Sequence, residues 1–130
     1  MPDLSSRNKA NKRKGAGFEI DVHAYLTPII PCDRLNKTGR EDEGDIVIKA
    51  GNISIVLECK NEKTITLSQY VQEANIEAIN YEAHRVHAVD KPTEVYGAAV
   101  VKRRNSRISD SYVVMDLGEY VDLIVHLSER

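Results

Sequence analysis

Asp45-Ile46-Val47-Ile48-Lys49-Ala50-Gly51-Asn52-Ile53-Ser54-Ile55-Val56-Leu57-Glu58-Cys59-Lys60 places two runs rich in β-branched residues on either side of Gly51-Asn52. Such runs favour strands, and Gly-Asn supports the primed two-residue turns that join antiparallel neighbours. With Ala50 and Ile53 flanking the turn, Ile48 meets Ile55, Val47 meets Val56, Ile46 meets Leu57, and Asp45 lies opposite Glu58. Opposed residues share a face with Cβ atoms roughly 4.5–5.5 Å apart, where two like charges repel. Lys60, two residues beyond Glu58, points to the same face.

A repelling acid pair needs a counter-charge. A hard divalent cation held by carboxylate oxygens supplies one. Mg2+ suits because one or two protein carboxylates, water and phosphate usually complete its shell, with Mn2+ as a substitute. An Asp at a strand edge and a Glu-Lys pair on one face also fit a solvated salt-bridge network, so spacing alone leaves both readings open.

Upstream, a first helix is expected from near Arg7–Lys14 to just before Pro28, because the residue preceding a proline is biased away from helical geometry. Phe18, Val22, Tyr25 and Leu26 make its buried stripe. Glu19 falls on the border of that stripe and can reach inward to a polar centre. Residues 33–44 read as a polar loop with a short strand at its start, carrying Arg34, Lys37, Arg40 and Glu41-Asp42-Glu43.

Downstream, a long helix is expected from about Leu67 to Val86, with Thr66 or Ser68 as its cap. Leu67, Tyr70, Val71, Ala74, Ala78 and Tyr81 form one apolar stripe. Ile76, Ile79, Ala83 and Val86 form another, so this helix needs two partners, the second being another element or another subunit. Gln69 and Gln72 read as surface residues, Tyr70 and Tyr81 as core. Beyond Pro92, Val95–Val101 and Tyr112–Met115 read as strands, and Leu117–Leu127 as a closing helix or a strand. The order α-β-β-β-α-β-β-α predicts an α/β fold, a mixed central sheet flanked by helices.

The chain of 130 residues suits a single domain over residues 7–130, with 1–6 as a tail. A hydrophobic share of 42% and a charged share of 29% are those of a soluble globular protein. No apolar run approaches the roughly 20 residues of a membrane span, and the amino terminus lacks a signal peptide's apolar stretch, so a cytoplasmic protein without membrane contact is expected. Cys32 and Cys59 lack metal-ligand spacing and read as reduced thiols, with Cys59 facing the core. His23, His84, His87 and His126 show no ligand spacing, and nothing resembles a Ser-His-Asp or Cys-His arrangement. The net charge of −2 hides an uneven layout. Arg7, Lys9, Lys12, Arg13 and Lys14 crowd the first fourteen residues, and Lys102, Arg103, Arg104 and Arg107 form a second basic cluster, each able to meet phosphates.

The pattern Glu19…Asp45…Glu58-x-Lys60 resembles the PD-(D/E)XK nuclease superfamily, with Gly44 standing where the superfamily's name puts proline. The basic first helix, the helix glutamate, Gly-Asp, the strand ending in Glu-x-Lys and the long helix together look like archaeal and phage-type Holliday junction resolvases. The resemblance implies a restriction-endonuclease-like core and a Mg2+-dependent endonuclease of a bacterial, archaeal or phage-infected cell, acting on four-way DNA junctions; the second apolar face of the long helix and the need to cut two strands symmetrically point to a homodimer. It implies Asp45, Glu58, Glu19 and the carbonyl of Cys59 as metal ligands, and Lys60 as the group that assists the attacking water. Arg7, Lys9, Lys12, Arg13, Lys14, Arg40, Lys102, Arg103 and Arg104 are the expected DNA-binding residues. A restriction- or repair-type nuclease of the same fold, and a non-catalytic DNA-binding protein, are the alternatives.

Overall fold

The computed structural model describes residues 17–35, 42–85 and 94–129. Gly51, at φ +64°, reverses the chain, and Asn52 keeps a negative φ, the sign pattern of a type II′ turn with glycine at its first central position. The hairpin it closes joins Ile46–Ala50 (β2) to Ile53–Lys60 (β3) in the expected register, with Ala50 against Ile53, Ile48 against Ile55, Val47 against Val56 and Ile46 against Leu57. The amide of Asp45 continues the ladder by donating to the Leu57 carbonyl at 2.9 Å.

Cys32–Arg34 (β1) pairs antiparallel with β2, and Glu94–Val101 (β4) runs parallel to β3. Tyr112–Val114 (β5) closes the sheet antiparallel to β4, giving the order β1-β2-β3-β4-β5. The helices are α1, helical over 17–26, α2 at Leu67–Arg85 and α3 at Leu117–Ser128. The fold is therefore α/β, a mixed five-stranded sheet flanked by three helices, in the order predicted. A parallel pair needs a crossover, and α2 is that crossover between β3 and β4. No helix among the described residues is long and apolar enough to cross a membrane.

Both faces of the sheet are covered, which is why its central strands read as near-continuous apolar runs. Phe18 and Val22 of α1 pack on Ile46, Leu57, Ala98 and Val100, with Cys59 beside them. On the other face Ala78 and Tyr81 of α2 pack on Val47 and Val56, and Tyr70 on Ala99 and Val101. Period-two alternation then carries Glu58 and Lys60 to the α2 side and Cys59 to the α1 side. Helix and sheet approach closely at Gly97, where an added Cβ would stand 2.3 Å from the Ala74 carbonyl oxygen.

Two expected stripe residues fall outside the core: Tyr25 is 44% exposed and Leu67 48% exposed. Each lies near an end of its helix. Ile76 and Ile79, the second apolar face of α2, point to solvent. Residues 1–6, Arg7, Lys9, Lys12, Arg13, Lys14, Arg40, Val86 and His87 lie outside the described residues. Both cysteines are free thiols.

Candidate active site

Carboxylates converge where β3 and β4 end. The register that brings Asp45 toward Glu58 also leaves the end of β3 without a strand partner on one edge. There Asp45 Oδ2 accepts the Cys59 amide at 2.8 Å. Lys60 turns its carbonyl to the other edge, accepting from the Lys102 amide at 2.9 Å, so alternation along the strand turns the Cys59 carbonyl toward Asp45.

Asp42, Glu58 and Glu77 each bring an oxygen within 4.8 Å of the other two. Asp42 is held by the chain around it: its side chain accepts the Gly44 amide at 2.9 Å, and its carbonyl accepts Asn80 Nδ2 of α2 at 2.8 Å. Glu43, between the two aspartates, turns away and is gripped by Arg85, which donates through Nε and Nη2 at 2.9 and 3.1 Å. That hydrogen-bonded pairing outweighs the burial of Glu43 and holds its pKa below the usual carboxylate value. The loop 42–45 is thus tied to α2 at two points and presents Asp42 and Asp45 to the strand end.

Gly44 makes this approach possible. Its φ is +95°, and an added Cβ would lie 2.4 Å from Val56 Cγ1 and 3.4 Å from Glu77 Oε2. Proline fixes φ near −65° and cannot stand here.

Glu58 and Glu77 are 9% and 5% exposed, and Oε2 of each lacks a hydrogen-bond partner. Burial, then the neighbouring Glu58 carboxylate and the charges of Asp42 and Asp45, raise the pKa of Glu77 well above the ordinary carboxylate range. Two means of relief exist: a proton on Glu77, which would let it donate to Glu58, or a cation between the oxygens. Buried, unpartnered carboxylate oxygens beside Asp42 and Asp45 are the hard donor set that Mg2+ takes, so the residues fit the ion.

Lys60 supplies positive charge at the rim. Its Nζ lies 3.6 Å from Glu58 Oε1 and 2.5 Å from Glu73 Oε2, over the Tyr70 ring at 5.3 Å from its centroid. Burial opposes the charge, but the bond to Glu73 and the charges of Glu58, Glu73 and Glu62 prevail and hold the ammonium's pKa above its usual value. Lys60 is a fixed cation. Gln69 Nε2 in turn donates to Glu73 at 3.3 Å, so this glutamine belongs to the site's second layer.

Other expected residues lie apart from this cluster. Glu19 is paired with Arg34 Nε at 3.2 Å on the α1 side of the sheet, near enough to Cys59 to disfavour its thiolate. Burial is the larger cause of that raised thiol pKa, so Cys59 is unreactive as a nucleophile. Lys102 folds its ammonium to 5.9 Å from the Phe18 ring centroid, whereas Arg103 and Arg104 stand exposed just beyond the end of β4. Arg107 pairs with Asp110 at 3.5 Å.

Asp42, Glu73 and Glu77 are additions to the sequence reading. Glu77 carries a legible signal: at i+3 from Ala74 and one residue before Ala78, it sits inside the buried stripe of α2. His126, which shows no ligand spacing in the sequence, stands with Asp122 and Glu94. The Tyr96 hydroxyl donates to Asp122 at 2.8 Å and meets His126 Nδ1 at 2.5 Å, a polar tether between β4 and α3. No family model matches the chain, and no curated protein matches it.

Proposed function

We propose that this chain is a Mg2+-dependent endodeoxyribonuclease with a restriction-endonuclease-like core, hydrolysing phosphodiesters in branched DNA, with the four-way junction as its substrate. One observation carries the reaction class: two buried carboxylate oxygens without donors, on Glu58 and Glu77, beside a lysine locked as a cation. The choice of junction comes from the resemblance to Holliday junction resolvases.

Asp42, Asp45, Glu58, Glu77 and the Cys59 carbonyl are the groups that would hold the ion. Held there, Mg2+ would supply a water of lowered pKa and a polarised phosphoryl oxygen. Lys60, kept protonated by Glu73 and Glu58, serves as a charge and not as a base: it orients the attacking water and stabilises negative charge developing on the phosphate. Glu73 fixes where that ammonium points. Exposed Arg103 and Arg104 flank the same strand ends and position the DNA backbone. No covalent enzyme intermediate is needed.

The test compares a four-way junction with a matched linear duplex, in Mg2+ or chelator, for wild type, Lys60→Ala and Glu58→Gln. Wild type should cut the junction only with metal. Each variant should lose about 100-fold or more in rate while still shifting the junction in a gel. Equal cutting of both substrates would reassign the protein to a restriction or repair role. Binding without cutting in Mg2+ or Mn2+ would make it a non-catalytic DNA-binding protein.

A further inference from the structure

A second group of ligand atoms lies toward the opposite end of the sheet from the carboxylate cluster. Glu94 opens β4 beside Ile53 and the hairpin turn, whereas Glu58 lies further along β3, opposite Ala99, and on the other face. Alternation puts Glu94 on the same face as Tyr96, which packs against Leu123 of α3. Asp122 and His126, one helical turn apart on α3, share a side. Glu94, Asp122 and His126 each bring a ligand atom within 4.8 Å of the other two. Among the described residues no lysine or arginine pairs with either carboxylate. The basic group facing them is His126, with Nε2 3.7 Å from Glu94 Oε1 and Nδ1 3.6 Å from Asp122 Oδ2.

The hydrogen bonds decide which imidazole nitrogen is open. A backbone carbonyl only accepts, so the 2.9 Å contact between His126 Nδ1 and the Asp122 carbonyl places a proton on Nδ1. The Tyr96 hydroxyl, 2.5 Å from Nδ1, gives its own proton to Asp122 Oδ2 at 2.8 Å and accepts at its oxygen. In the neutral ring the Nε2 lone pair is then left beside a carboxylate oxygen, two acceptors without a shared proton. Their 3.7 Å separation is too long for a direct hydrogen bond and close to the roughly 3.4 Å between two donors on one tetrahedral Zn2+.

We propose that Glu94, Asp122 and His126 Nε2 form a Zn2+ site that fastens α3 to the start of β4, separate from the Mg2+ cluster and independent of whether that cluster cuts DNA. An imidazole nitrogen with two carboxylate oxygens suits Zn2+ better than Mg2+, and three protein ligands leave a fourth position for water. Tyr96, 2% exposed, is the positioning residue: its one hydroxyl holds both ligands of α3, the outer hydrogen bonding that metal-bound histidines and carboxylates use. Asp122 is exposed and Glu94 and His126 are half-buried, so the ion can enter from solvent. Leu123 is the one buried side chain of α3, which makes this helix the place where binding registers.

Equilibrium dialysis of the full chain against micromolar Zn2+ in millimolar Mg2+ should give one Zn2+ per chain that Mg2+ does not displace. Glu94→Gln or His126→Gln should weaken that binding by about 100-fold or more, and Tyr96→Phe by about 10–100-fold, with far-ultraviolet circular dichroism unchanged. Glu58→Gln and Glu77→Gln should retain it. Two readouts on wild type need no variant. Hydrogen exchange over residues 117–128 should slow when Zn2+ is added, and nitrogen-15 resonances of the His126 ring should show Nε2 bound to metal while Nδ1 keeps its proton. A wild type that takes up no Zn2+ would overturn the proposal and leave His126 as an imidazolium between the two acids. Binding that survives His126→Gln and is lost in Glu58→Gln or Glu77→Gln would also overturn it, by giving the ion to the carboxylate cluster.

Discussion

A carboxylate that is 5% exposed in the middle of an amphipathic helix destabilises the fold unless something answers its charge. Nothing among the described residues does so for Glu77 Oε2, and the neighbouring Glu58 Oε2 is equally without a donor. The metal-free protein therefore keeps a proton on Glu77, whose pKa is raised by burial and by Glu58. A carboxyl raised in the folded state holds its proton more tightly there than in the unfolded chain. Its contribution to stability is full below the ordinary value of 4.5 and fades as pH climbs toward the raised one. In chelator, urea unfolding between pH 5 and 9 should show wild type losing stability with rising pH. Glu77→Gln should lack that slope, gain about 1–3 kcal/mol at pH 8, and lose nearly all metal-dependent cleavage. A variant less stable than wild type would show that Glu77 anchors α2 and does not serve the carboxylate cluster.

At the scale of elements, the site depends on how closely α2 lies against the sheet, and Gly97 sets that distance. A methyl there meets the backbone of Ala74 at 2.3 Å, which a side-chain rotation cannot relieve. Gly97→Ala should force the helix outward and destabilise by about 1–3 kcal/mol. It should also carry Glu73 and Glu77 away from β3, so cleavage falls further than the unfolded fraction explains. An active, fully stable Ala variant would disprove the close packing. The hairpin was legible because β-branched runs and a Gly-Asn turn leave one register that buries both apolar sets, and that register brought Asp45, Glu58 and Lys60 to one side. Asp42 and Glu73 were not legible. The first sits in a loop whose path depends on the positive φ of Gly44 and on Asn80 and Arg85, and the second on a helix whose rotation only the packed sheet defines. Leu117–Leu127 stayed between helix and strand because a short run this rich in aliphatic side chains suits either element.

Across the whole molecule the two faces of the sheet divide the work. The α2 side and the strand ends gather the carboxylates and Lys60, while the α1–α3 side carries the exposed apolar residues of α3 and β5. A net charge of −2 does not prevent phosphate binding in such a layout, because Asp45, Glu58 and Glu77 are buried around the proposed cation and the arginines at the end of β4 are exposed. Each phosphate that a basic side chain neutralises releases counterions and steepens the dependence of log K on log salt by about 0.9. Arg103→Ala with Arg104→Ala should therefore flatten that slope by roughly 2 and weaken binding to junction and duplex alike. Both side chains stand in solvent, so melting temperature and metal affinity should not move. Fluorescence anisotropy with labelled junction DNA from 50 to 300 mM KCl measures the slope directly. An unaltered slope would move the phosphate contacts to other basic residues, with Arg7, Lys9, Lys12, Arg13 and Lys14 the next to replace.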